Sequence, residues 1–254
     1  MNKPVRATAA SLLGLALVML DMTDLHAAEL RVIAGGSTTG WLNELAPRFE
    51  QSSGHKLVIR FDSTPNLIKH VVSGEPFDVA VVPVDVFKDG AAKAHFVAGP
   101  TTDIARVGYG VIVREGAPKP DVSSPDTLKK ALLEASSVAF LPESAAGAYV
   151  SKVFERLDVA ETMKAKTKPQ TATGQIAKAV ASGDAELAVF LINVLIAPGV
   201  ELVGPLPAEL QQDLVFTASI AATSKQAEAA NALISFLLTP AAAAVIKAKG
   251  MTPG

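Results

Sequence analysis

Residues 29–53 read ELRVIAGGSTTGWLNELAPRFEQSS. Leu30, Val32 and Ile33 form a short apolar run closed by two glycines, and Trp41, Leu42, Leu45, Ala46 and Phe49 then recur at helical spacing. The order is strand, turn, helix. Lys56–Phe61 (KLVIRF) is rich in β-formers, Asn66–Ser73 has the pattern of a short helix, and Asp78–Val82 (DVAVV) is a buried type of strand before Pro83. Alternation of this kind predicts a mostly parallel sheet covered by helices.

Further along, Val107–Val113 (VGYGVIV) reads as another strand, and Gly116–Pro125, with three prolines, as a connecting loop where the chain crosses into a second lobe. A second α/β set follows: a helix over Pro125–Leu133, a strand at Val138–Leu141, helices near Tyr149–Leu157 and Gly174–Ala181, and a strand at Leu187–Leu191. Val200–Leu206, bracketed by Pro198, Pro205 and Pro207, is the return strand, after which Leu214–Ala222 and two helices, Lys225–Leu238 and Pro240–Lys249, rejoin the first lobe. The expected fold is α/β and two-lobed: a leader over 1–28, the first lobe over 29–105, the second over 106–204, and the return segment over 205–254. Two crossing strands joining two lobes permit hinge closure on a ligand.

Of the 254 residues 49% are hydrophobic, enough to bury one large core or two modest ones. A net charge of −2 supplies no basic field for phosphate backbones or anionic lipid, so nucleic acid is not an expected partner. Cysteine is absent, which removes disulfides, thiolate metal sites, a Cys nucleophile and lipidation at a Cys. Lys3 and Arg6 precede an apolar run from Ala7 to Leu20, and Leu25-His26-Ala27-Ala28 offers the small residues that a signal peptidase requires. That run is too short to span a bilayer as a helix. The chain therefore reads as exported to the periplasm through a cleavable signal peptide, without stable membrane insertion, and as a monomer.

In an open α/β sheet, ligands lie beyond the carboxyl ends of the strands, where helix N-termini offer unpaired N–H groups and a positive dipole end. Ser37 and Thr38 occupy such a place in AGGSTTG, and Ser63 and Thr64 occupy the corresponding one in DSTPN. Plain helix capping is the alternative for each pair. The first loop lacks the G-x-G-x-x-G order of a dinucleotide fingerprint, and there is no P-loop, no G-x-S-x-G and no H-x-x-x-H. Once the leader is removed, His55, His70 and His95 are the histidines, and all three read as solvated surface residues. No catalytic residue, metal or cofactor is expected: the chain reads as a receptor that performs no chemistry on its ligand, the alternatives being a periplasmic hydrolase or transferase, or a sensory binding protein, on the same scaffold. Arg106 opens the first crossing, where Arg106, Gly108 and Gly110 share one face. There its guanidinium either grips a carboxylate with two parallel N–H bonds or pairs with a local acid such as Asp103.

Four segments carry a family resemblance: RVIAGGSTTGWLNELAPRFEQSSGHKL from Arg31, RFDSTPNLIKHVVSGEPFDVAVV from Arg60, SAAGAYVSKVFERL from Ser144 and ISFLLTPAAAAVIKAKGM from Ile234. Through them the chain resembles the periplasmic molybdate-binding group of the type II bacterial solute-binding proteins that serve ABC transporters. The resemblance implies a small anionic ligand and an ABC permease as partners. It also implies an oxyanion held by Ser37, by Ser63 or Thr64, by main-chain N–H groups at Ala146 and Gly147, and by others near Thr173 and Gly174. Where that group commonly places a Tyr in the second lobe, this chain has Leu191-Ile192-Asn193. The substitution of Asn193, together with Arg106, tilts the expected ligand from molybdate or tungstate towards a small carboxylate.

Overall fold

A computed structural model describes residues 27–254. The expected leader lies almost wholly outside these residues. The first lobe opens with β1 (Glu29–Gly35), α1 (Thr39–Ser53), β2 (Lys56–Asp62), α2 (Thr64–Val72) and β3 (Val79–Pro83). Two short helices, α3 (Asp85–Lys88) and α4 (Gly90–Lys93), and a strand β4 (Thr102–Val107) complete its first pass. The second lobe runs through β5 (Tyr109–Arg114), α5 (Pro125–Glu134), β6 (Val138–Phe140), α6 (Ala145–Arg156), α7 (Ala160–Lys166), β7 (Thr167–Pro169), α8 (Thr173–Ser182), β8 (Leu187–Leu191), α9 (Ile192–Leu195) and β9 (Val200–Pro205). β10 (Leu214–Ile220), α10 (Ala227–Leu237), α11 (Pro240–Ala248) and β11 (Thr252–Pro253) return to the first.

The first sheet has the order β11-β4-β10-β3-β1-β2, the second β7-β6-β8-β5-β9. Neither is mostly parallel, as the sequence pattern suggested. The βα units give parallel pairs (β1 with β2 and β3, β6 with β7 and β8). β4, β5 and β10, which carry the chain between lobes without a covering crossover helix, pair antiparallel with their neighbours.

Period-two alternation sorts the core of the first lobe. Ile33, Ala80 and Val82 pack with Leu67 and Val71 of α2 and Val86 of α3, while Leu30, Val32 and Ala34 face Trp41, Leu42, Leu45 and Phe49 of α1. β3, central between β1 and β10, is buried at every residue, whereas the edge strand β2 alternates. α1 ends where Gly54 takes φ 76°, a left-handed value that costs glycine little.

The single strand expected over Val107–Val113 is two strands that belong to different sheets, broken at Gly108. The sheets change over there and again within 206–213, so Arg106 and Val107 lie on the first sheet, just past the expected boundary. A side chain from the second connection sits at the break. Gln211 Oε1 accepts from the Tyr109 N–H at 2.8 Å and its Nε2 donates to the Tyr109 carbonyl at 2.9 Å. A Cβ at position 108 would stand 3.1 Å from this Gln211 amide, so glycine lets the clamp close. The Val200–Leu206 segment, read as the return strand, pairs with β5 as an edge of the second sheet; the return to the first lobe begins after it.

Candidate functional site

A cavity of about 260 Å³ lies between the lobes, and four helices begin at its wall. Gly36, Ser37 and Thr39 lead into α1, Ser63 and Thr64 into α2, Ser144 and Ala146 into α6, and Thr171, Ala172 and Thr173 into α8. Phe61, Leu141, Phe190 and Leu214 supply its apolar surface. Each helix N-terminus carries unpaired N–H groups and a partial positive charge, so their convergence favours an anion without a cationic side chain.

The sequence explains how each of these loops is held. Gly35 closes β1 where a Cβ would come within 2.9 Å of the Phe216 ring and 3.1 Å of Pro83. Thr38 Oγ1 donates back to the Gly35 carbonyl and Thr39 Oγ1 to that of Gly36, both at 2.7 Å. Both threonines thus brace the turn; Thr38 is fully buried and lies outside the cavity wall. At the starts of α1, α2 and α8 no side chain among the described residues caps the helix. α6 differs: Ser144 Oγ accepts from the Gly147 N–H at 2.9 Å and donates to the Leu141 carbonyl at 2.8 Å. The main-chain donor expected at Gly147 is therefore already taken. Glycine is needed at 147 for packing, since a Cβ there would collide with the Leu141 carbonyl.

Among the described residues, three hydrogen bonds cross the cleft. Thr173 Oγ1 donates to the Gly36 carbonyl at 3.3 Å, the Ala145 N–H to Thr64 Oγ1 at 3.4 Å, and Asn193 Nδ2 to the Ser37 carbonyl at 2.7 Å. The lobes are closed on each other.

Of the residues singled out from sequence, the structure brings Ser37, Ser63, Thr64, Ala146 and Thr173 to one wall. Thr38, Arg106, Gly147, Gly174 and Asn193 do not line it. Asn193 instead bridges the lobes beside it. Arg106 sits within β4, opposite Val215 of β10 and Thr252 of β11, in no ion pair among the described residues, with its Nε buried and unpartnered. Its expected alternative partner, Asp103, accepts from Thr217 Oγ1 at 3.0 Å. The alternation that aimed Arg106 at the cleft assumed one continuous strand through Gly108.

Asp62, Ser144, Thr171 and Ala172 line the cavity but were not singled out from sequence. Asp62 is the one ionisable side chain among the lining residues. Its Oδ1 accepts from the Ser63 N–H at 2.8 Å and from Asn66 Nδ2 at 2.7 Å, while Oδ2 has Arg60 Nη2 at 3.4 Å. Two of the histidines are not solvated as expected. His55 is 9% exposed and its Nδ1 accepts from the Ala28 N–H; His70 is 7% exposed, wedged against Arg60 and Glu75. Neither lines the cavity, nor does Tyr109, whose hydroxyl is pushed to a much higher pKa by burial and then by Tyr149 and Asp85. Among the described residues no cluster of His, Asp and Glu could hold a metal ion, and no single helix is long and apolar enough to cross a membrane.

Two α/β lobes, two connections and an anion-favouring cleft define a two-lobed binding protein. Residues 30–252 match the bacterial extracellular solute-binding protein family, and the chain belongs to that family. It is 32% identical over 254 aligned positions to the aconitate isomerase of a Pseudomonas species, covering 95% of each chain. It is 28% identical to the molybdate-binding protein ModA of Azotobacter vinelandii, covering 89% of this chain and 90% of that one. The solved periplasmic molybdate-binding protein of Azotobacter vinelandii superposes with a TM-score of 0.73 at 22% identity, over 88% of this chain and 98% of that one. The first of these relatives corrects the expectation that the chain performs no chemistry: a protein matched over nearly its whole length is named as an enzyme.

Proposed function

We propose that the chain closes its two lobes on a small unsaturated polycarboxylate of the aconitate class and isomerises it. The observation that carries the reading is the convergence of four helix N-termini, three without side-chain caps, on one cavity between the lobes. Kinship with an aconitate isomerase favours an organic acid over a metal oxyanion. The cavity, about 260 Å³ and open on one side, has room for a branched tricarboxylate. The Ser37 and Ser63 hydroxyls, which make no hydrogen bond within the described residues, are the side-chain donors for its carboxylates. Main-chain N–H groups at the starts of α1, α2 and α8 add to them. The apolar faces of Phe61 and Phe190 suit the carbon skeleton.

A second role fits the same closed form. As in transport by solute receptors, an ABC permease would read the closed lobes and take up the captured anion, and kinship with a molybdate-binding protein favours this. The signal-like start, with cleavage behind Ala27 or Ala28, would place the protein in the periplasm.

The test uses purified full-length protein lacking the leader. Cis- and trans-aconitate should each raise the melting temperature, since a ligand that binds only the native state stabilises it, and proton NMR should show their interconversion. Stabilisation by molybdate but by neither aconitate, with no interconversion, would sink the proposal.

A further inference from the structure

We infer that Asp62 is the catalytic residue of this cleft, the group that carries a proton between two carbons of the bound polycarboxylate; the inference rests on the isomerase reading above. Isomerising a carbon–carbon double bond without a cofactor requires its π bond to be relocated or transiently broken. In a propene tricarboxylate, the CH₂ next to the double bond is acidified by its own carboxylate and by conjugation, so a base can open the reaction there. The wall contains hydroxyls, main-chain N–H groups, apolar side chains and one base, Asp62.

Its setting suits proton transfer. Oδ1 is fixed by two donors, the Ser63 N–H at 2.8 Å and Asn66 Nδ2 at 2.7 Å, so the carboxylate cannot turn freely. Oδ2 keeps a single long contact, Arg60 Nη2 at 3.4 Å, and has lone pairs to offer. The side chain is 23% exposed, so it is partly withdrawn from water without being sealed off. A purely structural role, bracing the start of α2, needs only Oδ1. For a cleft that merely holds an anion, a negative charge in the wall weakens binding by like-charge repulsion, a cost that its distant Arg60 partner at 3.4 Å offsets only in part. Proton transfer gives that charge a use.

The step balances. Asp62 Oδ2 takes a proton from the CH₂ carbon, and the C–H electron pair enters the conjugated system, giving an allylic anion spread over three carbons and their carboxylates. The protonated Asp62 then returns the proton to the far allylic carbon. One C–H bond breaks, another forms, the double bond moves by one position, and Asp62 ends as it began. The geometry of the new double bond depends on how the CH₂-carboxylate arm was held, so the cis and trans forms interconvert without twisting a double bond. The helix N-termini around the cavity stabilise the extra negative charge of the anion.

The experiment compares wild type with Asp62→Asn and Asp62→Glu in D₂O, following aconitate by proton NMR and its binding by titration calorimetry. The expected result is that D62N binds aconitate at least as tightly as wild type, while its rates of isomerisation and of deuterium incorporation at the CH₂ both fall by roughly 10²- to 10⁴-fold. D62E, which keeps the carboxylate but displaces it, should recover part of the rate. If wild type isomerises aconitate and D62N does so within a factor of about three, the inference is overturned while the functional reading stands. If D62N loses binding as well as turnover, Asp62 is a binding or folding residue and the inference is again overturned. A wild type that neither binds nor converts aconitate overturns the reading, and this inference with it.

Discussion

The two lobes are joined at the hinge and touch across the cleft, and the bonds on the two sides differ in kind. On the hinge side, the connecting segments are tied to the second sheet through main chain: the half-buried Gln211 brackets Tyr109 at 2.8 and 2.9 Å, the Leu206 N–H reaches the Tyr109 carbonyl at 3.0 Å, and the Ile192 N–H reaches that of Gly108 at 3.0 Å. Tyr149 stacks near Tyr109, with ring centroids 4.8 Å apart, and its hydroxyl donates to the Leu210 carbonyl at 2.7 Å. On the cleft side the three bridging bonds each join a side chain of one lobe to main chain of the other, and two of them are longer than 3.2 Å. At a net ~0.5–1.5 kcal/mol apiece, opening the cleft sacrifices only a few kcal/mol, within reach of an anion's binding energy. The hinge is built to persist while the cleft exchanges partners.

The sharpest way to break this contrast is Gln211→Ala. It leaves the Tyr109 N–H without a partner and weakens the support of its carbonyl where burial denies water, so stability should fall by about 2–3 kcal/mol. Denaturant unfolding measures it. Gly108→Ala attacks the same clamp from the other side but meets the end of a flexible amide, so its cost should be smaller, about 1 kcal/mol. If Gln211→Ala unfolds at the wild-type midpoint, the hinge does not depend on the clamp.

The same clamp shows where sequence reading stops. β1, α1, β2, α2 and β3 were legible because their apolar periods are local, and so was the clustering of Ser37, Ser63 and Thr64, because each stands where a strand gives way to a helix. The break at Gly108 is held by a glutamine 102 residues from Tyr109, which no local pattern reveals. Missing it joined β4 to β5 and turned Arg106 towards a cleft that it does not line. Burial of His55 likewise depends on the distant Ala28 N–H. Asp62 stood in plain view within DSTPN, yet its importance lies in being the sole ionisable group on the wall, and that is known only once all four loops are folded together.

Next in size are the cleft hydroxyls. Ser37→Ala and Ser63→Ala should each weaken aconitate binding by roughly 1–3 kcal/mol, because a charged oxygen loses one donor in a largely desolvated site. Neither serine caps its helix or makes another side-chain hydrogen bond among the described residues, so the melting temperature of the ligand-free protein should hardly change. Calorimetry and thermal unfolding on the same samples separate the two effects. A drop in intrinsic stability with affinity retained would assign these serines to the fold.

The smallest effect tests the cleft side alone. Asn193 lies outside the cavity, and its Nδ2 donates to the Ser37 carbonyl at 2.7 Å while its Oδ1 is buried without a partner. The bond exists only when the lobes are together, so it favours the closed form by about the net worth of one hydrogen bond, ~1 kcal/mol, less the cost of the unpaired oxygen. Replacing it by alanine should therefore shift the ligand-free protein slightly towards the open form and lower affinity by no more than about fivefold, since a ligand must then supply the lost bias itself. Small-angle X-ray scattering should show a larger radius of gyration for ligand-free Asn193→Ala than for wild type, and equal radii once aconitate saturates both. Equal radii without ligand would mean that the Asn193 bond contributes nothing to closure and that the two remaining cleft bonds, with the hinge, set the balance.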